Sequence, residues 1–239
     1  MRRFGNVAGA GGSPQDWFEA LPFITKWWLV TALLMTASVS FKAIGLDLIY
    51  LDWPLIINKF NIWRPVTSAM FFGGFSFPFL ITMYFLVTNS HRYEINPFNT
   101  GGGGNTADYA FMLIIGLTIL SIAAYFLPMP FIASPLINMV MYVWSKREPE
   151  AQSSFFGFKF QAMYIPWVYL AFNLLIGSSL MPLLLGIATG HIYYFLAHVA
   201  PITYRRQILT TPRWLVDVFA PPARVQVPAR HNWGGGRTL

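Results

Sequence analysis

The chain has 239 residues, of which 55% are hydrophobic and only 10% are charged. A soluble globular domain usually carries about 25% charged residues, so the composition excludes an ordinary soluble domain and indicates a membrane protein. The chain has no cysteine, which excludes a disulfide framework, a thiol nucleophile, a thiolate zinc site and an iron–sulfur cluster. The net charge of +7 does not indicate nucleic-acid binding, because the basic residues flank apolar runs, where they set topology and contact anionic lipid headgroups.

The first predicted element, residues 1–23, is a cytosolic segment without the apolar stretch of a cleavable signal. Six apolar runs of 14–19 residues follow, and several are shorter than the roughly 20 residues that a spanning helix requires. These runs cover Trp27–Phe41 (with Ile24 and Thr25 before it), Phe75–Thr88, Tyr109–Leu127, Met129–Trp144, Met163–Ser179 and Pro182–Ala200. The sequence therefore predicts an all-α membrane domain over residues 24–200 with six transmembrane helices.

The distribution of lysine and arginine predicts the orientation of these helices. With the N-terminus in the cytosol, thirteen basic residues lie on the cytosolic side and three on the other. The first set is Arg2, Arg3, Lys26, Arg92, Lys146, Arg147, Lys159 and the six arginines of residues 205–237, and the second is Lys42, Lys59 and Arg64. Basic residues accumulate on the cytosolic side of membrane proteins, so both termini are predicted to be cytosolic.

Three connecting segments have distinct compositions. Residues 42–74 mix apolar, aromatic and charged side chains, which is typical of a segment that lies in the headgroup interface. Residues 99–105 contain four consecutive glycines and are predicted to form a flexible loop, without the lysine that a phosphate-binding Walker loop would require. Residues 201–239 are rich in proline, glycine and arginine and are predicted to form a flexible cytosolic tail.

His191 is the ionisable residue most deeply placed in a predicted span, and intramembrane ionisable groups often mark function. Its ring could hydrogen-bond to Asn138 or Asn173, or could line a wet cavity together with those residues and Ser134. Alternatively, His191 could act as the general base of an intramembrane serine protease with Ser134 as nucleophile. The sequence contains no Gly-x-Ser-Gly motif, which argues against that alternative.

Two further features concern binding and packing. His191 and His198 are seven residues apart, about 10 Å along a helix, so they do not form a shared metal site, and no cofactor is expected. Gly186 and Gly190 form a Gly-x-x-x-Gly pattern that allows close helix packing. We expect this packing to be intramolecular, with dimerisation as the alternative.

Trp63 and Arg64 follow the interfacial segment. Tryptophan favours the headgroup level, and arginine pairs with phosphates or backbone carbonyls. The pair is therefore either an anchor of the loop or a marker of the membrane boundary, and the residues alone leave both interpretations open.

Three stretches together resemble the Derlin family, catalytically inactive relatives of rhomboid proteases in the endoplasmic reticulum. Residues 60–67, which include Trp63-Arg64, are similar to the family's Trp-Arg motif, and residues 186–196 are similar to its Gly-x-x-x-Gly helix. Residues 230–239 resemble the SHP box that binds the hexameric ATPase valosin-containing protein. The residues at that motif are Trp233, Gly234, Gly236, Arg237 and Leu239. The glycine-rich loop at residues 99–105 departs from the family's pattern.

The resemblance implies a rhomboid-like pseudoprotease of the endoplasmic reticulum membrane, with six transmembrane helices and an interfacial first lumenal loop. It further implies a role in endoplasmic-reticulum-associated degradation, in which misfolded proteins move to the cytosol through a channel or a thinned bilayer. The implied partners are the AAA ATPase, a ubiquitin ligase or other degradation components, misfolded clients, membrane lipids and further copies of the chain. The alternatives are an active intramembrane serine protease and a small-solute transporter.

Overall fold

The computed structural model describes residues 13–101, 105–155 and 157–220, and the described part of the chain is mostly helical. In chain order, its elements are α1 (Pro14–Glu19), α2 (Phe23–Ser40), α3 (Leu46–Ile49), α4 (Trp53–Lys59), α5 (Arg64–Ser68), α6 (Phe77–Ile95), α7 (Asn105–Phe126), α8 (Ala133–Arg147), β1 (Gln152–Phe155), β2 (Phe158–Gln161), α9 (Ile165–Leu175), α10 (Met181–Tyr194), α11 (Ala200–Tyr204) and α12 (Arg213–Phe219). A 3-10 turn, Ala162–Tyr164, precedes α9, and a π-helical turn, Phe195–Val199, joins α10 to α11.

Each of the six predicted runs falls largely within one of these helices. Among the described residues, three helical segments are long and apolar enough to cross a membrane: Phe23–Ser40, Thr106–Phe126 and Met181–Tyr204. The other three helices are α6, which carries charged residues in its last turns, α8 with 15 residues, and α9, whose apolar segment Ala162–Leu175 is short. Length and hydropathy therefore account for three of the six predicted crossings.

Helix α8 lies at the centre of the bundle, which explains its modest hydropathy. Every residue from Pro135 to Ser145 is buried, and the helix packs against α6, α7, α9 and α10. Because its neighbours are other helices instead of lipid or water, α8 can hold polar side chains such as Asn138, which is fully buried, where they find partners inside the protein.

Local sequence signals explain where several helices begin. Ser13 and Asp16 form a reciprocal capping box at α1, and the Ser76 side chain accepts a hydrogen bond from the backbone N–H of Phe79 at the start of α6. Helix α2 differs, because its N-cap residue is Pro22, which supplies no side-chain cap. Glu94 of α6 caps this helix instead.

A two-stranded antiparallel sheet between α8 and α9 was not expected from the sequence. Gln152 pairs with Gln161 and Ser153 with Phe160, and Gly157, with φ of 85°, allows the tight turn between the strands. The predicted all-α class is correct except for this hairpin, whose four-residue strands are too short to show a clear period of two.

The described part of the predicted tail is folded. Residues 200–204 continue the last long helix, and α12 packs against α7 through Leu215, which is 5% exposed. The folded region therefore extends beyond the predicted boundary at residue 200, because Leu215 of α12 is buried, which the proline- and arginine-rich composition obscured. The last 19 residues, 221–239, and with them the SHP-like motif, lie outside the described residues.

Candidate functional site

Arg64 is buried within the loop between α2 and α6 and stabilises it. The side chain is 3% exposed, its Nη1 donates a hydrogen bond of 2.8 Å to the Tyr50 carbonyl, and its guanidinium lies 5.2 Å from the centre of the Tyr50 ring. The Thr67 hydroxyl donates to the Ile49 carbonyl over 3.1 Å. Of the two partners expected for Arg64, a phosphate or a backbone carbonyl, the structure shows the carbonyl. The neighbouring Trp63 is 49% exposed and can contact the headgroup region.

The same loop docks on the turn between α7 and α8. The backbone N–H of Leu51 donates to the Pro130 carbonyl over 2.8 Å, and that of Ile132 donates to the Ser68 carbonyl over 3.3 Å. The indole N–H of Trp53 donates to the Ser121 carbonyl over 3.1 Å. The predicted interfacial segment is thus fixed to the bundle by its backbone, while large apolar side chains remain exposed along it: Leu46, Leu48, Ile57, Phe60, Ile62 and Val66.

The Gly-x-x-x-Gly pattern lies in the contact between α10 and α8. A Cβ atom at Gly186 would overlap the Pro135 carbonyl oxygen, and one at Gly190 would lie 3.1 Å from the Met139 carbonyl oxygen. The Asn138 amide donates across the same contact to the Leu183 carbonyl over 2.7 Å. Both glycines face a helix of their own chain, which is the intramolecular arrangement that the sequence favoured.

His191 has a partner that the sequence did not suggest. Its Nδ1 lies 2.8 Å from the hydroxyl of Tyr142, and its ring is exposed on the outside of α10. Asn173 donates instead to the Tyr169 carbonyl within its own helix, over 2.8 Å, and Asn138 is fully buried. The structure therefore does not gather the predicted cavity-lining residues around His191.

Ser134 is also remote from His191. Ser134 occupies the first turn of α8, whereas Tyr142, which holds the histidine, lies eight residues later, about 12 Å along the helix axis. In the described structure, the Ser134 hydroxyl makes no hydrogen bond to His191, so no nucleophile–base pair is assembled there. The described residues also contain no group of three His, Cys, Asp or Glu residues able to hold a metal ion.

A buried carboxylate provides the missing cap of α2. Glu94, 2% exposed, accepts hydrogen bonds from the backbone N–H groups of Ile24 at 2.9 Å and Thr25 at 2.8 Å, where the helix dipole favours negative charge. The Thr25 hydroxyl also donates to Glu94 and lies 2.7 Å from the Ser90 hydroxyl, which in turn lies 2.7 Å from that of Tyr109. This network ties α2, α6 and α7 together. The sequence feature that could have indicated this network is the acidic residue Glu94 shortly after an apolar run.

A second buried carboxylate attaches the segment that precedes α12. Asp108, 4% exposed, accepts hydrogen bonds from the hydroxyls of Thr100 at 2.8 Å and Thr211 at 2.5 Å. The backbone N–H of Thr211 donates to the Thr100 carbonyl over 2.8 Å. The segment after the last long helix is therefore held at the start of α7, close to the glycine-rich loop.

The described residues define a helical membrane protein in which Ser134 and His191 do not form a hydrogen-bonded pair. A sequence model of the Der1-like family matches residues 21–213. Derlin-1 of Homo sapiens is 36% identical over 239 aligned residues, which cover 93% of each chain. Derlin-1.1 of Zea mays is 34% identical, with 94% of this chain and 95% of the relative covered. For Derlin-2.2 of Arabidopsis thaliana the identity is 35%, with 86% and 88% covered. The chain belongs to the Der1-like, or Derlin, family.

Proposed function

We propose that this protein is a non-proteolytic component of endoplasmic-reticulum-associated degradation, in a rhomboid-like fold that crosses the membrane six times with both ends in the cytosol. Membership of the Derlin family is the observation that carries the proposal. On α8, Ser134 is eight residues from Tyr142, the partner of His191. This separation and the lack of a Gly-x-Ser-Gly motif support a role without peptide hydrolysis. Six crossings place both termini on the same side of the membrane, together with most of the basic residues, as the preference of basic residues for the cytosolic side requires.

A short surface helix supports a mechanism in which the bilayer is thinned. The apolar helical segment Ala162–Leu175 has 14 residues, about 21 Å at 1.5 Å per residue, and its residues Leu174 and Leu175 are exposed. The hydrocarbon core is about 30 Å thick, so lipid beside this segment has to thin, at a fraction of a kcal/mol per Å. A thinner core lowers the cost of moving unpaired backbone groups of a client across it.

His191, which is exposed and paired with the buried Tyr142, offers a polar group to a client segment on the flank of α10. A photoreactive amino acid at Ile192, which is 45% exposed beside the pair, should crosslink to a misfolded membrane client in microsomes. The same probe at Leu34, 61% exposed on α2, is the control and should give a weaker adduct. Equal crosslinking at both positions would contradict a client contact at this flank.

The tail supplies the proposed link to the AAA ATPase. Trp233→Ala should abolish co-purification of the ATPase and slow turnover of a misfolded reporter, whereas Trp214→Ala, a tryptophan in the same cytosolic region that is 60% exposed on α12, should leave both unchanged. Undiminished recovery of the ATPase with Trp233→Ala would refute the motif.

A glycosylation acceptor site should be modified when placed in residues 42–74 and unmodified when placed in residues 99–105, and the reverse pattern would refute the topology.

The proposal that the protein is not a protease has its own test. A fluorophosphonate probe should not label the purified protein. Labelling that disappears in Ser134→Ala would instead establish an active serine hydrolase and overturn this part of the proposal.

A further inference from the structure

Three hydrogen-bond donors lie buried without acceptors where α6 and α8 end. They are Nη1 of Arg92, the indole N–H of Trp144 and Nε of Arg147, and none has a hydrogen-bond partner among the described residues. Buried donors are almost always paired in folded proteins, because an unpaired donor has lost its water without compensation. The arrangement therefore indicates that an acceptor from outside the described chain completes it.

The three groups belong to one local cluster. The guanidinium of Arg92 lies 4.8 Å from the centre of the Trp144 ring. Arg147 follows Trp144 by three residues and therefore shares its face of α8, and its Nη2 donates to Asn96 Oδ1 over 3.1 Å. Asn96 follows Arg92 by four residues on the α6 side. Donors from both helices thus converge on the same contact.

The chain's acidic residues do not fill this cluster. All nine Asp and Glu residues lie within residues 13–217, and the remaining residues, 1–12, 102–104, 156 and 221–239, contain none. Glu148 borders the cluster: it accepts a hydrogen bond of 2.7 Å from the Asn96 amide, and its charge acts on Arg92. In the described structure, however, neither arginine of the cluster makes an ion pair with a carboxylate, and the three unpaired donors stay without an acceptor.

We propose that Arg92, Trp144 and Arg147 form a binding site for a phosphate group, supplied either by an anionic phospholipid headgroup or by free phosphate. Guanidinium groups match phosphate oxygens in a planar, two-pronged geometry, and the indole adds a third donor. The Arg92 guanidinium lies over the Trp144 ring, and the Arg147 guanidinium lies 5.1 Å from the centre of the Phe98 ring. These ring contacts orient the two guanidinium groups. The competing explanation, that both arginines only balance the helix C-terminal dipoles, leaves the indole donor without a role.

The test is calorimetric titration of the full-length protein in zwitterionic detergent with dihexanoyl phosphatidic acid and, separately, with inorganic phosphate. Arg92→Gln and Arg147→Gln should each weaken binding about tenfold or more, because each removes a charge-assisted donor. Trp144→Phe keeps an aromatic ring but removes the neutral donor and should weaken binding about threefold. Arg206→Gln, at an exposed arginine, makes the same charge change and should have no effect.

The outcomes separate the two sources of phosphate and the competing explanations. Tighter binding of the lipid than of inorganic phosphate, with the same variants affected, would identify a headgroup site, and equal binding of the two would identify a site for phosphate itself. Unchanged affinity in Arg92→Gln and Trp144→Phe, with both variants monodisperse and as thermally stable as the unmodified chain, would overturn the proposal. Binding that develops only after deletion of residues 221–239 would overturn it as well, because the chain's own tail would then be the occupant.

Discussion

Replacing Gly186 with alanine is expected to push α10 away from α8. The added Cβ would overlap the Pro135 carbonyl oxygen and lie 3.0 Å from the Asn138 Cβ. A backbone carbonyl in a central helix cannot rotate aside, so the strain should reach the upper part of the 1–3 kcal/mol typical of overpacking, about 3 kcal/mol. Alanine favours helix over glycine by about 1 kcal/mol, which leaves a net loss of about 2 kcal/mol.

Thermal unfolding of the purified protein in detergent, followed by tryptophan fluorescence, measures this loss. For a chain of this size a loss of about 2 kcal/mol corresponds to a fall in Tm of about 4–8 °C. The matched control is Gly74→Ala, because a Cβ at Gly74 meets nothing within 4 Å, and that change should stay within about 0.5 kcal/mol of the unmodified protein. A Tm for Gly186→Ala equal to that of Gly74→Ala would refute the close approach of the two helices.

Three further substitutions test individual contacts. Arg64→Lys should loosen the first loop by about 1–2 kcal/mol, because lysine lacks the planar fork that reaches the Tyr50 carbonyl, and hydrogen exchange over residues 46–68 should rise; unchanged exchange there would contradict the bracing role. Thr211→Val should remove a hydrogen bond to the Asp108 carboxylate, worth about 1.5–3 kcal/mol, and raise exchange in α12 but not in that loop; protection of α12 at its original level would show that apolar packing alone holds it. Ser134→Ala should leave both Tm and reporter turnover unchanged, within about 0.5 kcal/mol in stability, and a large loss of turnover would restore a functional role for this hydroxyl.

The positions of the long helices and the family could be predicted from the sequence because both depend on local information. Apolar runs of sufficient length form helices in a membrane whatever surrounds them, and the Trp63-Arg64 and Gly186/Gly190 motifs each occupy a few consecutive residues. Motif recognition identified Arg64 as important, but only the folded loop showed that its partner is the Tyr50 carbonyl.

The candidate cavity was predicted less well. Ser134, Asn138, Asn173 and His191 were grouped because each is polar and lies in an apolar run, but helix rotation decides which of them meet. Asn138 and Asn173 satisfy their amide N–H groups on backbone carbonyls. His191 pairs with Tyr142, a residue that looked like part of an apolar aromatic run.

The sequence by itself determined that the chain enters a membrane as helices, because hydropathy acts over short stretches of chain. Only the tertiary structure decided which polar groups are paired. Glu94 and Thr25 are 69 residues apart, and Asp108 and Thr211 are 103 apart, so their contacts depend on how whole helices pack. Among the described residues, the same packing leaves one donor each of Arg92, Trp144 and Arg147 without an acceptor. A local sequence pattern shows which donors a segment carries but not which acceptors the fold brings to them.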